Sequence, residues 1–393
     1  MKITIIHDDQ TQSVYESETL FDESLRGSII PIDSQSKEKS AIAILKAYLS
    51  GAKPILYDQD NTALAQKVAS FDTSVLSLID FAAMFFTSGS TGSPTGAFKT
   101  KENIETDMEA LLREFGNFSV ENVVATVPFI HIYGFLAALL LPLKLNKPLL
   151  FKEHFLPHDL LSLAKENTLI VTTPLYIKSL LRLNEPKDLS QTIFISSTGP
   201  LSSKIAKAFC DTFNTTLIQL FGSTETGSIA FKKQDDTFWT PFHGVEVSLN
   251  AKELLHVKSP FISHQLWQEG LIETGGQVQS FDYALIENGK FQLLGRSNTI
   301  VKIAGKRYAT THIEEILERM EGVKKVLANV KHMENELKDE VVELFIESTK
   351  EVNLRDIQHT LKENLGSLNI PLKLYRVEKI ETSLMGKKMM PIL

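Results

Sequence analysis

The sequence predicts an α/β protein: a large N-terminal α/β domain with layered sheets and a strand-rich subdomain, then a small C-terminal α+β domain. Three observations carry this. Short apolar runs alternate with helical patterns from Val123 to Phe221. From Val245 the pattern changes to strands and turns. Around Ser297–Thr299 the composition shifts, and residues 298–393, rich in Lys and Glu, read strand, helix, strand, strand, helix, strand. The boundary is placed at Asn298, giving domains 1–297 and 298–393.

In order along the chain, residues 1–40 are polar and weakly patterned. Ala41–Leu49 has helical spacing and stops at Gly51, and Lys53–Tyr57 reads as a strand. Phe81–Phe86 is apolar throughout and reads as a buried strand. Ile104, Met108, Leu111, Leu112 and Phe115 recur at helical spacing, so Lys101–Glu114 is predicted as a helix. Between them runs Thr87–Gly96, TSGSTGSPTG. A Gly, Ser and Thr loop between strand and helix offers backbone N–H groups and hydroxyls with little bulk in the way, as a polyphosphate requires. It is not a Walker loop, because no Lys-Ser or Lys-Thr follows a glycine at the required spacing. Alone it reads equally as a flexible surface loop. Strands are then expected at Val123–Val127, Pro148–Phe151, Leu169–Thr172, Thr192–Ser196 and Thr216–Phe221. Val245–Leu249, Leu254–Lys258 and a pair around Glu287-Asn-Gly289 follow. No internal repeat or low-complexity tract is visible.

The 393 residues suffice for one large and one smaller domain. A formal net charge of −7 argues against a protein whose main ligand is a nucleic-acid backbone. A single cysteine, Cys210 in a predicted helix Ser202–Phe213, excludes an intrachain disulfide and fits a reducing compartment. The opening Met1–Asp9 has too short an apolar run for a signal peptide, and Phe135–Leu143 falls well short of the ~20 residues of a membrane span. A cytoplasmic protein is therefore expected. Its oligomeric state is not legible.

Three further segments join the loop: Leu220-Phe-Gly-Ser-Thr-Glu-Thr-Gly227, Leu294–Arg307 (LGRSNTIVKIAGKR) running on to Ile313-Glu314, and Gly386-Lys387. In this order the four resemble the adenylate-forming superfamily of acyl-CoA synthetases, peptide-synthetase adenylation domains and luciferases. The resemblance covers the chain from about Ala41 to its end, with a first subdomain expected to be reduced because the loop begins as early as Thr87.

It implies ATP-dependent activation of a carboxylic acid to an acyl-adenylate, release of pyrophosphate, and transfer to a thiol of CoA or of carrier-protein phosphopantetheine. ATP and Mg²⁺ are the implied cofactors. Thr87, Ser88, Gly89, Ser90, Thr91 and Gly92 would hold the β- and γ-phosphates. The family's usual lysine is Thr95 here, and Lys99 is a candidate to compensate. Phe221, with Gly222 and Ser223, would stack on adenine, Thr224 would bond the α-phosphate, and Glu225 would hold Mg²⁺, which takes one or two carboxylates plus substrate phosphates. Taken singly, Phe221 reads as a core residue.

Ser197-Thr198-Gly199 resembles the turn that contacts adenine; by itself it is an ordinary strand-to-helix turn with Pro200 near the helix start. His131, in Pro128-Phe-Ile-His-Ile-Tyr-Gly134, would sit beside the acid; a lone His among apolar residues is also a common packed residue. Phe129, Ile130, Ile132 and Tyr133 favour a fatty or aromatic acid. The family's ribose-binding Asp is missing from Glu273-Thr-Gly-Gly276, so the role passes to Asp282 with Arg296 as partner; a solvated strand residue is the other reading of Asp282. Asn298 takes the hinge position, where a polar residue tolerant of left-handed backbone is plausible. Lys387 would stand between the carboxylate and the α-phosphate, against the reading of a mobile basic tail. Lys302 and Gly305, with Lys306 and Arg307, would line the thiol-acceptor channel; Lys306 and Arg307 read equally as solvated surface charges. The rival from another class is a non-catalytic relative that binds nucleotide or acyl-adenylate as a sensor, motivated by the departures at Thr95, Gly276 and Asn298.

Overall fold

The computed structural model describes residues 1–87, 95–183, 185–234, 236–268, 270–296, 300–303, 306–332, 340–365, 371–382 and 388–391, with the backbone alone at 296, 300–303, 306–309, 332 and 340. The chain divides into two compact units, Met1–Val247 with Val257–Val278, and Ser248–His256 with Gln279–Leu393. Residues 279–296, read in the sequence as the end of the first domain, cluster with the second unit.

The first unit is built on a nine-stranded sheet. Its centre is a parallel ladder in the order Thr216–Ser223, Thr192–Ser196, Thr168–Thr172, Asn122–Ala125, Leu149–Lys152, Lys2–Ile6. Strands of this kind are covered on both faces and read as unbroken apolar runs rather than alternations. Thr168–Thr172 and Thr192–Ser196 are accordingly buried at every position. Residues 1–40 are less plain than their composition suggests. Ile3 and Ile5 alternate into the core, so Lys2–Ile6 joins the ladder beside Leu149–Lys152, and Gln12–Glu16 pairs outside it. The helix read at Ala41–Leu49 runs Lys37–Ser50, capped by the Ser36 side chain and ended by Gly51 at φ 70°. The Cys210 helix is Ser203–Phe213, N-capped by Ser202, with the thiol buried.

A second, six-stranded sheet carries Ala83–Phe86 and Gly96–Lys99 as antiparallel neighbours. This corrects the sequence reading of strand, loop and helix. The Thr87–Gly96 loop joins two strands, and the helix Lys101–Phe115 begins only after the second. Gly96–Lys99 is short, but all four of its residues are buried because Gln265–Trp267 pairs on its other side. A capping box between Thr100 and Asn103 then starts the helix.

In the second unit, Gln277–Glu287 and Lys290–Arg296 form the expected hairpin, with Asn288 and Gly289 at φ 50° and 75° in its turn. Val323–His332, Glu340–Ser348 and Leu372–Arg376 make a three-stranded sheet. Thr310–Leu317 and Leu354–Leu365 share its core through Ile313, Leu317, Ile357 and Leu361. Among the described residues no helix is long and apolar enough to cross a membrane.

One turn of the first unit depends on a single glycine. Residues Gly134–Leu140 form a wide π-helical stretch, and a Cβ at Gly134 would collide with the Pro128 carbonyl oxygen. Tyr133 lies at the same turn, its hydroxyl 3.0 Å from Thr172 O and 2.9 Å from Ile195 O, the ends of two parallel strands. Gly134→Ala is expected to lower stability by about 1–3 kcal/mol, the cost of overpacking against an immobile neighbour. Urea denaturation of the folded variant measures it.

Candidate active site

The parallel ladder brings the motifs of the first unit to one edge. The segments after Asn122–Ala125, Thr168–Thr172, Thr192–Ser196 and Thr216–Ser223 all leave the carboxyl ends of neighbouring strands, where open α/β sheets bind ligands. They carry the Pro128–Gly134 turn, Thr172-Thr173, Ser197–Gly199 and Phe221–Glu225. Two bonds tie this edge together: Ser197 Oγ donates to Leu220 O at 2.9 Å, and the Thr126 and Thr172 hydroxyls meet at 2.9 Å.

Thr224 and Glu225 project from the tip of a tight turn between Thr216–Ser223 and Gly227–Lys233. Ser223 N donates to Thr226 Oγ1 at 2.9 Å and Thr226 N to Ser223 Oγ at 3.2 Å, so the turn closes on its own side chains. Two glycines permit the closure. A Cβ on Gly222 would meet the Gly227 carbonyl, and Gly227, at φ 71°, has Asp107 against its α-carbon. Glu225 is half-buried, and among the described residues no hydrogen bond or ion pair engages its carboxylate. No cluster of three or more His, Cys, Asp or Glu is present among those residues either. A lone free carboxylate is a poor resident metal site but fits Mg²⁺ arriving with its phosphates.

Beneath the turn lie three buried polar residues, each 2% exposed: Lys99, Asn103 and Asp107. Lys99 Nζ donates to Glu225 O at 2.8 Å and to Phe261 O at 2.6 Å. Asp107 Oδ2 accepts from Ser228 N at 3.0 Å, and Asn103 Nδ2 donates to Pro260 O at 2.7 Å. Ser263 N also donates to Glu225 O, at 3.0 Å. Burial lowers the Lys99 ammonium to about 7 against the pull of the Asp107 and Glu225 carboxylates. Burial likewise raises Asp107 to about 6. Lys99 therefore does not stand in for the missing loop lysine at 95; its charge is spent on main-chain carbonyls. Sequence reasoning noticed Lys99 for the wrong reason and missed Asp107, which looks like an ordinary helix carboxylate.

At the base of the Thr87–Gly96 loop, Thr87 N donates to Thr95 O at 2.9 Å and Thr95 N to Thr87 Oγ1 at 3.1 Å. Thr95 is buried, 3.3 Å from Gln268 Nε2, so this side chain builds the neck of the loop. Ser88, Gly89, Ser90, Thr91 and Gly92 lie outside the described residues.

Phe221 is half-buried, its ring packed on Trp239 with centroids 5.5 Å apart, and Lys232 sits 4.9 Å over Trp239. Trp239, like Asp107, had no motif to announce it. Thr198 and Gly199 are exposed, and Thr198 holds φ 81°, a costly angle for a β-branched residue that is worth noting at a candidate site. His131 is half-buried; desolvation lowers its pKa, with Asp58 opposing, which favours a neutral imidazole. Of the four neighbours read as favouring a fatty or aromatic acid, Phe129, Ile130 and Tyr133 are buried in the core, Phe129 packing on Phe151 at 4.8 Å, and Ile132 is half-buried.

In the second unit, Asp282 is buried and stands directly opposite Arg296 in the hairpin register. The Thr-Gly-Gly frame is a turn with Gly275 and Gly276 at φ 63° and 73°, in the first unit. Lys388 Nζ is held by Glu314 at 2.7 Å, Glu318 at 2.6 Å and Val326 O at 2.6 Å. Lys388, next to Lys387 in the chain, is thus committed to contacts within its own unit. Lys387, Asn298 and Gly305 lie outside the described residues, and for Arg296, Lys302, Lys306 and Arg307 only the backbone is described.

Residues 16–254, more than half the chain, match the AMP-binding enzyme family. The 2-succinylbenzoate–CoA ligase of Listeria monocytogenes serotype 4b (strain F2365) is 26% identical over 322 residues, covering 78% of this chain and 68% of the relative. The long-chain-fatty-acid–CoA ligase of Bacillus subtilis (strain 168) is 22% identical over 425 residues, 95% of this chain and 75% of the relative. Among solved structures, the o-succinylbenzoate CoA synthetase of Bacillus subtilis in complex with its acyl-adenylate intermediate matches with a TM-score of 0.80 at 17% identity, over 98% of this chain and 93% of that one. ATP-bound MatB from Rhodopseudomonas palustris matches with a TM-score of 0.76 at 16% identity, over 98% and 93%. At such identities these structures establish the fold, and the family follows from the match over residues 16–254: the chain belongs to the AMP-binding enzymes.

Proposed function

We propose that this protein activates a carboxylic acid with ATP and Mg²⁺ and passes the acyl group to the thiol of CoA. The observation that carries the reading is the Glu225 turn, which presents a carboxylate without a protein partner among the described residues at the strand edge that also bears Phe221 and Ser197–Gly199. The CoA ligases among the relatives support CoA over a carrier protein, and a fatty or aromatic acid over a small polar one.

The chemistry needs two displacements. A carboxylate oxygen attacks the α-phosphorus of ATP, and the bond to pyrophosphate breaks. A thiolate then attacks the acyl carbonyl carbon and AMP leaves with the bonding pair. Bound Mg²⁺ would supply positive charge that offsets the phosphate oxygens, and Glu225 is the residue to hold it. Thr224 would donate its hydroxyl to an α-phosphate oxygen, and Thr87 and the loop after it would hold the β- and γ-phosphates. Phe221, backed by Trp239, would offer a ring to adenine. His131, kept neutral by desolvation, would face the acid without adding charge. Asp282 would accept hydrogen bonds from the ribose hydroxyls, with Arg296 across the hairpin as partner. Lys387 would bridge carboxylate and α-phosphate in the first step. After a rotation about Asn298, taken as the start of a mobile lid, Lys302 and Gly305 would line the path of the thiol.

Acid-dependent ATP–pyrophosphate exchange, run across fatty and aromatic acids, tests the first displacement. No exchange with any acid, in folded protein that binds ATP, would favour the non-catalytic sensor. Lys387→Ala is expected to cut exchange on the order of 10²–10³-fold with an unchanged melting temperature. Lys388→Ala should do the opposite. It leaves Glu314 buried without its partner and costs on the order of 1–3 kcal/mol of stability, while exchange at a permissive temperature persists. Equal activity loss in both would refute this division of roles.

Asp282→Asn keeps the side chain's shape but removes the charge that favours ribose hydroxyl donors. AMP affinity, read by titrating tryptophan fluorescence, is expected to fall about tenfold, the worth of one charge-assisted hydrogen bond. Unchanged affinity would return Asp282 to the role of a hairpin residue.

A further inference from the structure

We infer that Lys99 and Asp107 are positioning residues that set the Glu225 turn for metal and α-phosphate, a role no motif assigns to them. The inference rests on reading Glu225 as the metal carboxylate.

The argument begins with the cost of the arrangement. A fully buried ammonium and a fully buried carboxylate are each expensive, and burying them is justified only where hydrogen bonds compensate. Lys99 and Asp107 feel each other's charge but form no hydrogen bond or close ion pair with one another, and among the described residues Asp107 Oδ1 has no hydrogen-bond partner. A core built only for stability would pair these charges or replace them with apolar side chains. Here Asp107 spends its charge on the main chain of the four-residue stretch Glu225–Ser228, and Lys99 divides its own between that stretch and the carbonyl of Phe261. Lys99 Nζ donates to the carbonyl of Glu225, and Asp107 Oδ2 accepts from the amide of Ser228. The two contacts lie on either side of Gly227, whose lack of a Cβ gives Asp107 Oδ2 room to reach the turn. The Glu225 carbonyl receives a second donor from Ser263 N, so its peptide plane is held from two directions. Charge-assisted bonds of this type are short and directional, so they constrain orientation as well as position.

Position in the chain adds a second element. Lys99 ends the strand that emerges from the phosphate loop, four residues beyond Thr95. Asp107 lies two helical turns further on, on the helix that the same strand feeds. One continuous stretch, 95–107, therefore runs from the neck of the phosphate loop to the underside of the Glu225 turn. Groups that orient a metal-binding carboxylate without touching the metal typically change metal affinity or activity by about 10–100-fold when removed.

The test compares Lys99→Met and Asp107→Asn with Asn103→Ala, which removes a buried bond to Pro260 O and the capping-box bond of the same helix but touches neither Glu225 nor Ser228. Three quantities are read on folded protein. They are amide hydrogen exchange at Ser228 and Ser263, Mn²⁺ affinity with a non-hydrolysable ATP analogue by electron paramagnetic resonance, and the Mg²⁺ concentration giving half-maximal pyrophosphate exchange. Lys99→Met and Asp107→Asn should weaken Mn²⁺ affinity about 10–100-fold and raise the Mg²⁺ requirement to match, with AMP affinity changed less than about threefold. Exchange at the Ser228 amide should quicken in Asp107→Asn before any ligand is added. Asn103→Ala should lower the melting temperature and leave the metal dependence in place. Metal affinity that moves no further in Lys99→Met and Asp107→Asn than in Asn103→Ala overturns the inference. Asp107→Asn changes one atom and carries the test if Lys99→Met does not fold. Absence of pyrophosphate exchange in the wild type would count against adenylation alone, since Mn²⁺ affinity and amide exchange are read without turnover. Wild-type Mn²⁺ affinity indifferent to Glu225→Gln would overturn this inference as well.

Discussion

The parallel ladder of the first unit is the constraint on which the site depends. Parallel strands cannot be joined by tight turns, so each must be followed by a crossover, and every crossover departs from the same edge. In this chain that edge receives the Pro128–Gly134 turn, Thr172-Thr173, Ser197–Gly199 and the Phe221–Glu225 turn, from segments separated by as much as a hundred residues. None of these segments needs to recognise another for the gathering to occur. Tyr133 shows how the ladder is then used, its one hydroxyl reaching the ends of two strands, with Gly134 required so that the chain can turn beneath it.

Burial decides what charged groups do here more than motif does. Lys99 and Lys388 are both lysines beside recognised motifs, and both look available on paper. Lys99 is taken up by two main-chain carbonyls, and Lys388 by two carboxylates and the carbonyl of Val326. Glu225 differs in kind. It is half-buried, and its backbone is held while its carboxylate is left without a protein partner among the described residues. A held backbone with an uncommitted acidic side chain suits an incoming cation, because the cost of ordering the ligand has been met during folding.

The two units also differ in how they build a core. The first buries strands on both faces, so its sequence is apolar in runs. The second is smaller and covers one sheet with two amphipathic helices, Thr310–Leu317 and Leu354–Leu365. Its high content of Lys and Glu follows from a larger share of residues at the surface. Within it the buried Glu314 carboxylate is met by the half-buried Lys388 ammonium at 2.7 Å.

Sequence alone determined the fold class, the strand sequence from Asn122 to Ser223, the hairpin at Asn288-Gly289, and the family. These rest on local periodicity and on short motifs whose order in the chain is itself information. It did not determine that Lys2–Ile6 belongs to the ladder, because the pattern of a five-residue strand is weak until Leu149–Lys152 lies beside it. Nor did it determine that Gly96–Lys99 is a strand, since its burial comes from Gln265–Trp267, far along the chain. Tertiary structure decided where each of these side chains sits. Phe129 and Tyr133 lie in the core, and Asp107 passed from an unremarked helix position to the underside of the Glu225 turn. The physical reason is that a residue's type and spacing specify what it can bond, while burial and long-range neighbours specify what it does bond.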